Sequence, residues 1–253
     1  MNATESGQIN QAMRNVDPGE AEAFDRMASR WWDPEGDSRP LHDINGPRVD
    51  WIRGQAPVDG RRLADIGCGG GLLSEAMAKA GARVTAIDVA EKALTVARLH
   101  QVESGLADTD REIDYRQSTA EQLAEAEPEA FDRVCCLEML EHVPDPASVV
   151  EACMKLVRPG GWLFFSTINR SPLAWGGAIV GAEYVLRLLP RGTHRYDRLL
   201  RPSELAGWVR DAGGRVERIV GMRYNPFSRT VTIGGRPRIN YLFSARRPDP
   251  EAE

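Results

Sequence analysis

The stretch Leu63–Gly71, Leu-Ala-Asp-Ile-Gly-Cys-Gly-Gly-Gly, constrains the fold more than any other part of the chain. It predicts a short buried strand that runs into a glycine-rich turn, and a helical pattern, Leu72–Ala80, follows directly. Gly67, Gly69 and Gly71 permit a sharp turn with positive φ and leave no Cβ between the backbone and a ligand. The first N–H groups of the helix have no partner within it, so they are available to a polar ligand.

A second feature indicates which ligand suits this turn. A second strand, Ala82–Ile87, is followed by Asp88, about 20 residues beyond Gly67, the spacing at which an acidic side chain meets the ribose hydroxyls of a nucleotide-like cofactor. The dinucleotide fingerprint Gly-x-Gly-x-x-Gly is incomplete, because Leu72 occupies its third glycine position. A turn whose glycines serve packing alone is the alternative, and the spacing of Asp88 argues against it.

Composition excludes several classes of protein. With 253 residues and 42% hydrophobic content, the chain predicts one sizeable domain with a proper core. A net charge of −5 argues against a dedicated nucleic-acid binder. The four cysteines form no Cys-x-x-Cys pair, which fits buried thiols in a reducing cytosol. The N-terminus lacks the apolar core of an export signal, and no apolar run reaches the ~20 residues of a membrane span.

The order of elements predicts the fold class. Strands alternate with helices, which indicates an α/β, doubly wound, mostly parallel sheet of seven strands with an antiparallel C-terminal hairpin at its edge. The predicted strands lie near residues 63–66, 82–87, 113–117, 131–137, 162–167, 216–222 and 239–246. Ligands of such sheets bind at the carboxyl ends of the strands, where Gly67, Asp88 and Glu138 fall.

The domain organisation follows from these boundaries. Residues 61–247 form the main domain and residues 248–253 a tail. Residues 1–60 combine a polar tail with two helical patterns, Glu20–Trp32 and Leu41–Ile52, which either cover the cleft or simply cap the domain.

An insertion over residues 170–200 contains the weakly charged segment Pro172–Pro190. It fits a lid over an apolar substrate, an amphipathic segment on a membrane, or a core helix. From Arg187 to Arg247 there are fourteen arginines and four acidic residues, which favours an anionic surface as partner.

A third informative stretch follows the fourth predicted strand. If it is helical, Glu138, Glu141 and His142 share one face, where they could hold a divalent metal or transfer protons. A solvated acidic turn with a packed histidine is the alternative.

Two sets of motifs resemble known families. Asp65-x-Gly-x-Gly-x-Gly with the later Asp88 resembles the first motif of class I S-adenosylmethionine-dependent methyltransferases. Five further motifs, in order along nearly the whole chain, are similar to the ubiquinone-biosynthesis O-methyltransferases. They are Ser-Arg-Trp-Trp-Asp (29–33), Glu-Met-Leu-Glu-His-Val-Pro-Asp-Pro (138–146), Phe-Phe-Ser-Thr-Ile-Asn-Arg (164–170), Gly-Ala-Glu-Tyr-Val-Leu-Arg (181–187) and Gly-Thr-His (192–194).

This resemblance implies a Rossmann-like class I methyltransferase fold and S-adenosylmethionine as cofactor. Carried over by position, the cofactor contacts are Arg48, Gly67, Asp88 and Leu137. Leu137 stands where a methionine is common in the family, and an apolar residue there still packs beside adenine. A catalytic acid–base role, or a divalent metal such as Mg²⁺ or Zn²⁺, falls on Glu138, Glu141 and His142.

The resemblance also implies the partners. The substrates are polyprenylated phenols and quinols, namely a 2-polyprenyl-6-hydroxyphenol and 3-demethylubiquinol. The apolar polyprenyl tail of these substrates implies a cytoplasmic protein that associates peripherally with the anionic surface of the inner membrane. Other enzymes of the ubiquinone pathway are further expected partners. Two other functions remain open on the residues alone: a nicotinamide-dependent oxidoreductase and a non-catalytic, cofactor-binding membrane adaptor.

Overall fold

The fold described here comes from a computed structural model, which describes residues 15–174 and 196–250, the side chain of Leu173 excepted. The helices are α1 (Pro18–Met27), α2 (Arg39–Gln55), α3 (Leu72–Lys79), α4 (Glu91–Glu103), α5 (Ala120–Ala126), α6 (Pro146–Leu156) and α7 (Pro202–Asp211). The strands are β1 (Arg62–Ile66), β2 (Arg83–Asp88), β3 (Asp114–Gln117), β4 (Phe131–Leu137), β5 (Val157–Ile168), β6 (Arg215–Asn225), β7 (Thr230–Ile233) and β8 (Asn240–Arg246). Short helical turns occur at Ala28–Arg30, Leu140–His142, Pro172–Ala174 and Tyr196–Arg198.

The strands of the described residues form one mixed sheet in the order β3-β2-β1-β4-β5-β8-β6-β7. Strands β1 to β5 are mutually parallel, and β8 pairs antiparallel with both β5 and β6. The chain order reverses between β1 and β4, which is where doubly wound sheets bind their ligands. The predicted fold class is therefore confirmed.

The sheet differs from the prediction by one strand. The loop expected between the last two strands contains β7, which pairs with the end of β6 and forms the sheet edge. Helix α5 was also absent from the prediction. It begins with a capping box, in which the Thr119 hydroxyl accepts from Gln122 N and the Gln122 side chain accepts from Thr119 N.

Burial on both faces of the sheet explains the apolar strands. Along β4, Val134 and Cys136 pack in the cluster beneath α6, whereas Cys135 and Leu137 pack in the cluster on the opposite face. Alternate residues of a strand point to opposite faces, so a strand covered on both sides is apolar throughout. All four cysteines are buried and free, as the sequence predicts.

One hairpin extends beyond the sheet at the edge where the parallel strands end. Asn240 at the start of β8 lies opposite both Ile168, the last residue of β5, and Met222 of β6. Strand β6 continues to Asn225 and pairs there with β7 alone. Residues 223–232, called here the edge hairpin, therefore project past the carboxyl end of β5.

Several expectations fall outside the described residues. These are residues 1–14 and 251–253 of the two tails, most of Pro172–Pro190, and the motifs at 181–187 and 192–194. Within residues 15–174 and 196–250, no helix combines the length and the apolar content that a membrane span requires.

Candidate active site

A cleft of about 1080 Å³, measured out to its open mouth, lies at the carboxyl ends of β1, β2 and β4. The four residues predicted to contact a cofactor, Arg48, Gly67, Asp88 and Leu137, all line it. Glu138 and His142 line the same cleft, which also borders α1.

The glycine loop forms one wall of the cleft. The N–H groups of Gly67 and Cys68 donate to the carbonyl of Ile87, at 2.9 and 3.0 Å, which ties the loop to β2. Gly67, Gly69 and Gly71 have φ of 72°, 52° and 89°, and Gly71 is the residue from which α3 begins. The backbone thus turns from strand to helix as predicted, in a conformation that residues with a Cβ rarely adopt.

Asp88, the last residue of β2, binds the glycine loop through its carboxylate. Its Oδ2 accepts from Gly69 N and its Oδ1 from Ala90 N, both at 2.8 Å. Each carboxylate oxygen still has a second lone pair, which suits it to accept from a diol. Burial raises the pKa of Asp88 against the backbone hydrogen bonds that lower it.

Arg48 brings a buried positive charge to the cleft from α2. Its side chain is 5% exposed, and Nη1 lies 3.8 Å from Glu138 Oε1. Its buried Nε has no hydrogen-bond partner among the described residues. Burial lowers the pKa of Arg48, while the charges of Glu138 and Asp65 oppose that shift. A buried guanidinium with a vacant donor suits the carboxylate of an amino-acid group.

Glu138 and Glu141 do not share a helical face. Glu138 has a left-handed backbone with φ of 53°, and only a single helical turn, Leu140–His142, follows it. The Ser166 hydroxyl donates to Glu138 Oε1 at 2.6 Å, and the Thr167 hydroxyl donates to Glu141 Oε2 at 2.8 Å. Glu141 is buried and does not line the cleft; burial, with the charge of Glu138, raises its pKa to about 7.

His142 faces helix α1. Its Nδ1 lies 3.0 Å from Glu20 Oε2, and its ring meets the ring of Phe24 edge-on, with centroids 5.1 Å apart. Burial lowers the pKa of His142, but the hydrogen bond to Glu20 and the charge of Glu141 outweigh burial, so the net shift is upward. A carboxylate beside the ring makes the neutral imidazole a stronger base, which can accept a proton from an acidic hydroxyl.

The arrangement does not suit a metal ion. Among residues 15–174 and 196–250, no three His, Cys, Asp or Glu side chains are grouped so that they could hold one. Glu138 and Glu141 face different hydroxyl groups, and His142 faces Glu20. In this arrangement the described side chains therefore form no ready-made site for the divalent metal that the resemblance implies.

Two tryptophans cover the glycine loop. A Cβ at Gly69 or Gly70 would overlap the ring of Trp31, so these glycines allow the ring to lie directly on the backbone. The indole N–H of Trp32 donates to the Gly70 carbonyl at 2.9 Å, and its ring stacks on His100 at a centroid distance of 3.4 Å.

The sequence predicted the floor of this cleft, and it offered the helical pattern Glu20–Trp32 either as a cover for the cleft or as a cap for the domain, without naming which residues of that pattern would reach the cleft. Glu20, Phe24 and Trp31 received no role, although they line the cleft. The signals were the tryptophan pair of the Ser-Arg-Trp-Trp-Asp motif and an amphipathic helix whose apolar residues had no assigned partner. The helix before β4 also contributes Ala120 and Glu121, and the pattern Thr-x-x-Gln at 119–122 would have located it.

Comparison with known proteins adds independent information. A model of the family described as "Methyltransferase domain" matches residues 64–165. A magnesium protoporphyrin IX methyltransferase from Synechocystis PCC 6803, solved with bound S-adenosylmethionine, superimposes with a TM-score of 0.62 at 18% identity, covering 92% of this chain and 98% of that one. A methyltransferase from Thermotoga maritima gives 0.61 at 17% identity, covering 90% and 99%. At these identities the likeness shows the fold.

Relatives found by sequence have much higher identity to this chain than these solved structures have. The ubiquinone biosynthesis O-methyltransferase of Pseudomonas aeruginosa PAO1 is 55% identical over 235 residues, which is 93% of this chain and 99% of that protein. The proteins of the same name from Ralstonia nicotianae and Stutzerimonas stutzeri are 54% and 56% identical, over 93% and 91% of this chain and 97% of each of theirs. This match also sets aside the nicotinamide-dependent alternative. The chain belongs to the family of ubiquinone biosynthesis O-methyltransferases.

Proposed function

We propose that this protein transfers a methyl group from S-adenosylmethionine to a ring hydroxyl of polyprenylated phenols and quinols, namely 2-polyprenyl-6-hydroxyphenol and 3-demethylubiquinol. One observation carries the proposal: in a chain of this family, the glycine loop, Asp88 and His142 all line a single cleft. The donor and a proton acceptor can therefore meet there.

Residues of four elements would hold the donor. The loop at Gly67 would take the methionine part, Asp88 would accept from the ribose hydroxyls, and Leu137 would pack beside adenine. Arg48, whose buried Nε has no partner among the described residues, pairs with the donor's carboxylate. When bound, the donor supplies a methyl group on a positively charged sulfur.

The acceptor hydroxyl must lose its proton. A phenol has an ordinary pKa near ~10, so about 0.1% is ionised at pH 7 and forming the phenolate costs about 4 kcal/mol. His142 accepts this proton as the oxygen forms its bond to the methyl carbon and the carbon–sulfur bond breaks, leaving S-adenosylhomocysteine and the methyl ether. The remaining task is to align oxygen, carbon and sulfur, which is positioning.

An assay with a radiolabelled methyl donor and short-chain substrates tests this proposal. We expect turnover of both substrates. His142→Ala should lower kcat by about 100-fold or more while S-adenosylhomocysteine binds as before, because general-base catalysis contributes on the order of 10²–10⁴. Asp88→Ala should instead weaken S-adenosylhomocysteine by about tenfold or more, the equivalent of about 1.4 kcal/mol. Near-normal rates for His142→Ala would remove this residue from the mechanism.

The same assay with EDTA, followed by added Mg²⁺ or Zn²⁺, tests the metal role. For a metal to bind all three residues, the side chains of Glu138, Glu141 and His142 would have to converge on one point, which they do not do in this arrangement. Activity that depends on one added cation would therefore contradict the arrangement described above.

We also propose that the protein works at an anionic membrane surface, on the cytoplasmic side of the inner membrane. A polyprenyl tail is insoluble in water, so the cleft must open toward lipid. Support comes from the arginine excess of residues 187–247 and from the edge hairpin, which carries the exposed Phe227 and stands at the sheet edge where the cleft opens.

Co-sedimentation with phosphatidylglycerol vesicles tests the membrane proposal. Deleting residues 172–190 should abolish co-sedimentation, and retained binding of S-adenosylhomocysteine would show that the shortened chain folds. Unchanged vesicle binding would refute a contact through this segment.

A further inference from the structure

Helix α1 places a carboxylate on the imidazole of the proposed base. Glu20 Oε2 lies 3.0 Å from His142 Nδ1, and the side chains are 24% and 13% exposed. The two residues are 122 positions apart in sequence, so the contact exists only when α1 is seated on the domain.

Glu20 is itself held in place. Arg198 Nη1 lies 3.7 Å from Glu20 Oε1, and Arg198 Nη2 donates to Asp17 Oδ2 at 2.7 Å. Asp17 also caps α1 by accepting from Gly19 N at 3.0 Å. One oxygen of the Glu20 carboxylate therefore contacts His142, and the other faces the Arg198 guanidinium at ion-pair distance.

The ring of His142 is restrained from a second direction. Phe24, one turn further along α1, meets it edge-on at an interplanar angle of 84°. Glu20 and Phe24 share a face of α1 because they are four residues apart, and both line the cleft. One helix face thus sets both the hydrogen bond and the ring plane.

We propose that Glu20 is a positioning residue for methyl transfer, which fixes the tautomer and orientation of His142. A carboxylate at Nδ1 keeps the proton on that nitrogen, so Nε2 holds the lone pair that accepts the proton of the substrate hydroxyl. It also stabilises the imidazolium formed during transfer, as the carboxylate does in other acid–base dyads. This inference rests on the proposed role of His142 and adds that the base is complete only with α1 in place.

The alternative is that Glu20 has a purely structural role and only holds α1 against the rest of the domain. The chain offers a matched control for this alternative, because Asp25 on the same helix accepts from Lys92 N at 3.0 Å and does not line the cleft. Asp25→Ala removes a tether of α1 without touching His142.

The experiment compares Glu20→Ala, Glu20→Asp and Asp25→Ala in steady-state assays. We expect Glu20→Ala to lower kcat by about 100-fold with little change in KM, because the loss falls on the chemical step. Glu20→Asp should restore part of the rate, and Asp25→Ala should keep it. Equal effects of Glu20→Ala and Asp25→Ala would overturn the inference.

A double-mutant cycle with His142→Ala sharpens the test. If Glu20 acts through His142, Glu20→Ala should have no further effect on kcat in the His142→Ala background. Additive losses would mean that Glu20 acts elsewhere.

A readout independent of turnover uses ¹⁵N-labelled histidine, with His142 assigned from the His142→Ala spectrum. Wild-type protein should show the proton of the neutral ring on Nδ1, and Glu20→Ala should shift the neutral ring toward the other tautomer. An unchanged spectrum would refute the contact, even if the protein methylated neither substrate and the proposed function itself had failed.

Discussion

At the scale of single residues, the cleft is lined by buried charged side chains, among them Arg48 and Asp65. Asp65, the acidic residue that interrupts β1, is buried, and its Oδ2 accepts from the Ser74 hydroxyl at 2.6 Å. Burial raises the pKa of Asp65 to about 6, although Ser74 and the charge of Arg48 lower it. Holding this carboxylate ionised at neutral pH therefore reduces stability.

This cost predicts a pH dependence of stability. Since the pKa of Asp65 is higher in the folded state than its ordinary unfolded value near 3.9, the folded state binds the proton more tightly. Stability from this residue is complete below pH 4 and is lost as the pH rises through about 6. Asp65→Asn should therefore gain about 2–3 kcal/mol relative to wild type between pH 4 and pH 7.

Urea denaturation at pH 4, 5, 6 and 7 measures this difference. The exposed Asp110→Asn serves as control, since no burial opposes its charge, and it should show no such trend. A constant difference between Asp65→Asn and wild type across this range would show that Asp65 has no raised pKa.

Two glycines allow the cost of a positive φ to be separated from the effect of a side chain that would contact Trp31. Gly69 and Gly105 both have positive φ, 52° and 71°, but only at Gly69 would a Cβ meet a neighbour, the ring of Trp31. Replacement by alanine should cost each variant about 1–2 kcal/mol of stability from the backbone alone. We expect Gly69→Ala also to weaken S-adenosylhomocysteine by about tenfold or more, an added loss of about 1.4 kcal/mol.

Isothermal titration and urea denaturation of both variants provide the two readouts. If Gly69→Ala and Gly105→Ala bind S-adenosylhomocysteine equally well, the close packing of Trp31 on the loop does not contribute to donor binding.

Short-range sequence patterns located the residues on the cleft floor. The positions of Gly67 and Asp88 follow from local spacing, because a strand, a turn and a helix fix them relative to each other. Glu20 could not be found this way, since its partner His142 is 122 residues away and no local pattern links them. Glu138 was misplaced because its left-handed backbone, at φ 53°, breaks the helix that the spacing of Glu138 and His142 suggested.

At the scale of elements, prediction succeeded where the apolar pattern was long. Strand β4 has the predicted bounds, Phe131–Leu137. Strand β7 was missed because its run of β-branched residues, Thr230–Ile233, is only four residues long and pairs with β6 alone. Short edge strands carry little pattern of their own, so tertiary pairing decides them.

The edge hairpin makes a prediction for membrane binding. Phe227 at its turn is 82% exposed, and Arg223, Arg236 and Arg238 nearby are exposed with no acidic partner among the described residues. Phe227→Ser should weaken co-sedimentation with phosphatidylglycerol vesicles by about tenfold or more, since burying a phenyl ring contributes about 1.5–3 kcal/mol. Each arginine contributes about 1 kcal/mol near an anionic surface.

Val102→Ser is the matched control. Val102 is 66% exposed at the end of α4, a helix that runs from the carboxyl edge of the sheet toward the opposite edge. It should leave vesicle binding unchanged. Equal losses for both variants would assign the effect to general surface hydrophobicity rather than to the hairpin.

At the scale of the whole molecule, donor binding should be coupled to stability. A ligand that binds only the folded state at 100 times its Kd adds about 2.7 kcal/mol, which raises Tm by about 5–10 °C for a domain of this size. We expect S-adenosylhomocysteine to give such a shift in scanning calorimetry. NADH at the same concentration should give none, and a shift with NADH alone would contradict the assignment of the cleft.

The cleft is assembled from distant parts of the chain, and this has a consequence for its synthesis. Helix α1 leaves the ribosome first, but Arg198, which pairs with Asp17, is added 181 residues later. At 5–20 residues per second, this delay is on the order of 10–40 s. The nascent chain therefore acquires the contacts of its cover in steps, first with Lys92, then with His142 and only afterwards with Arg198.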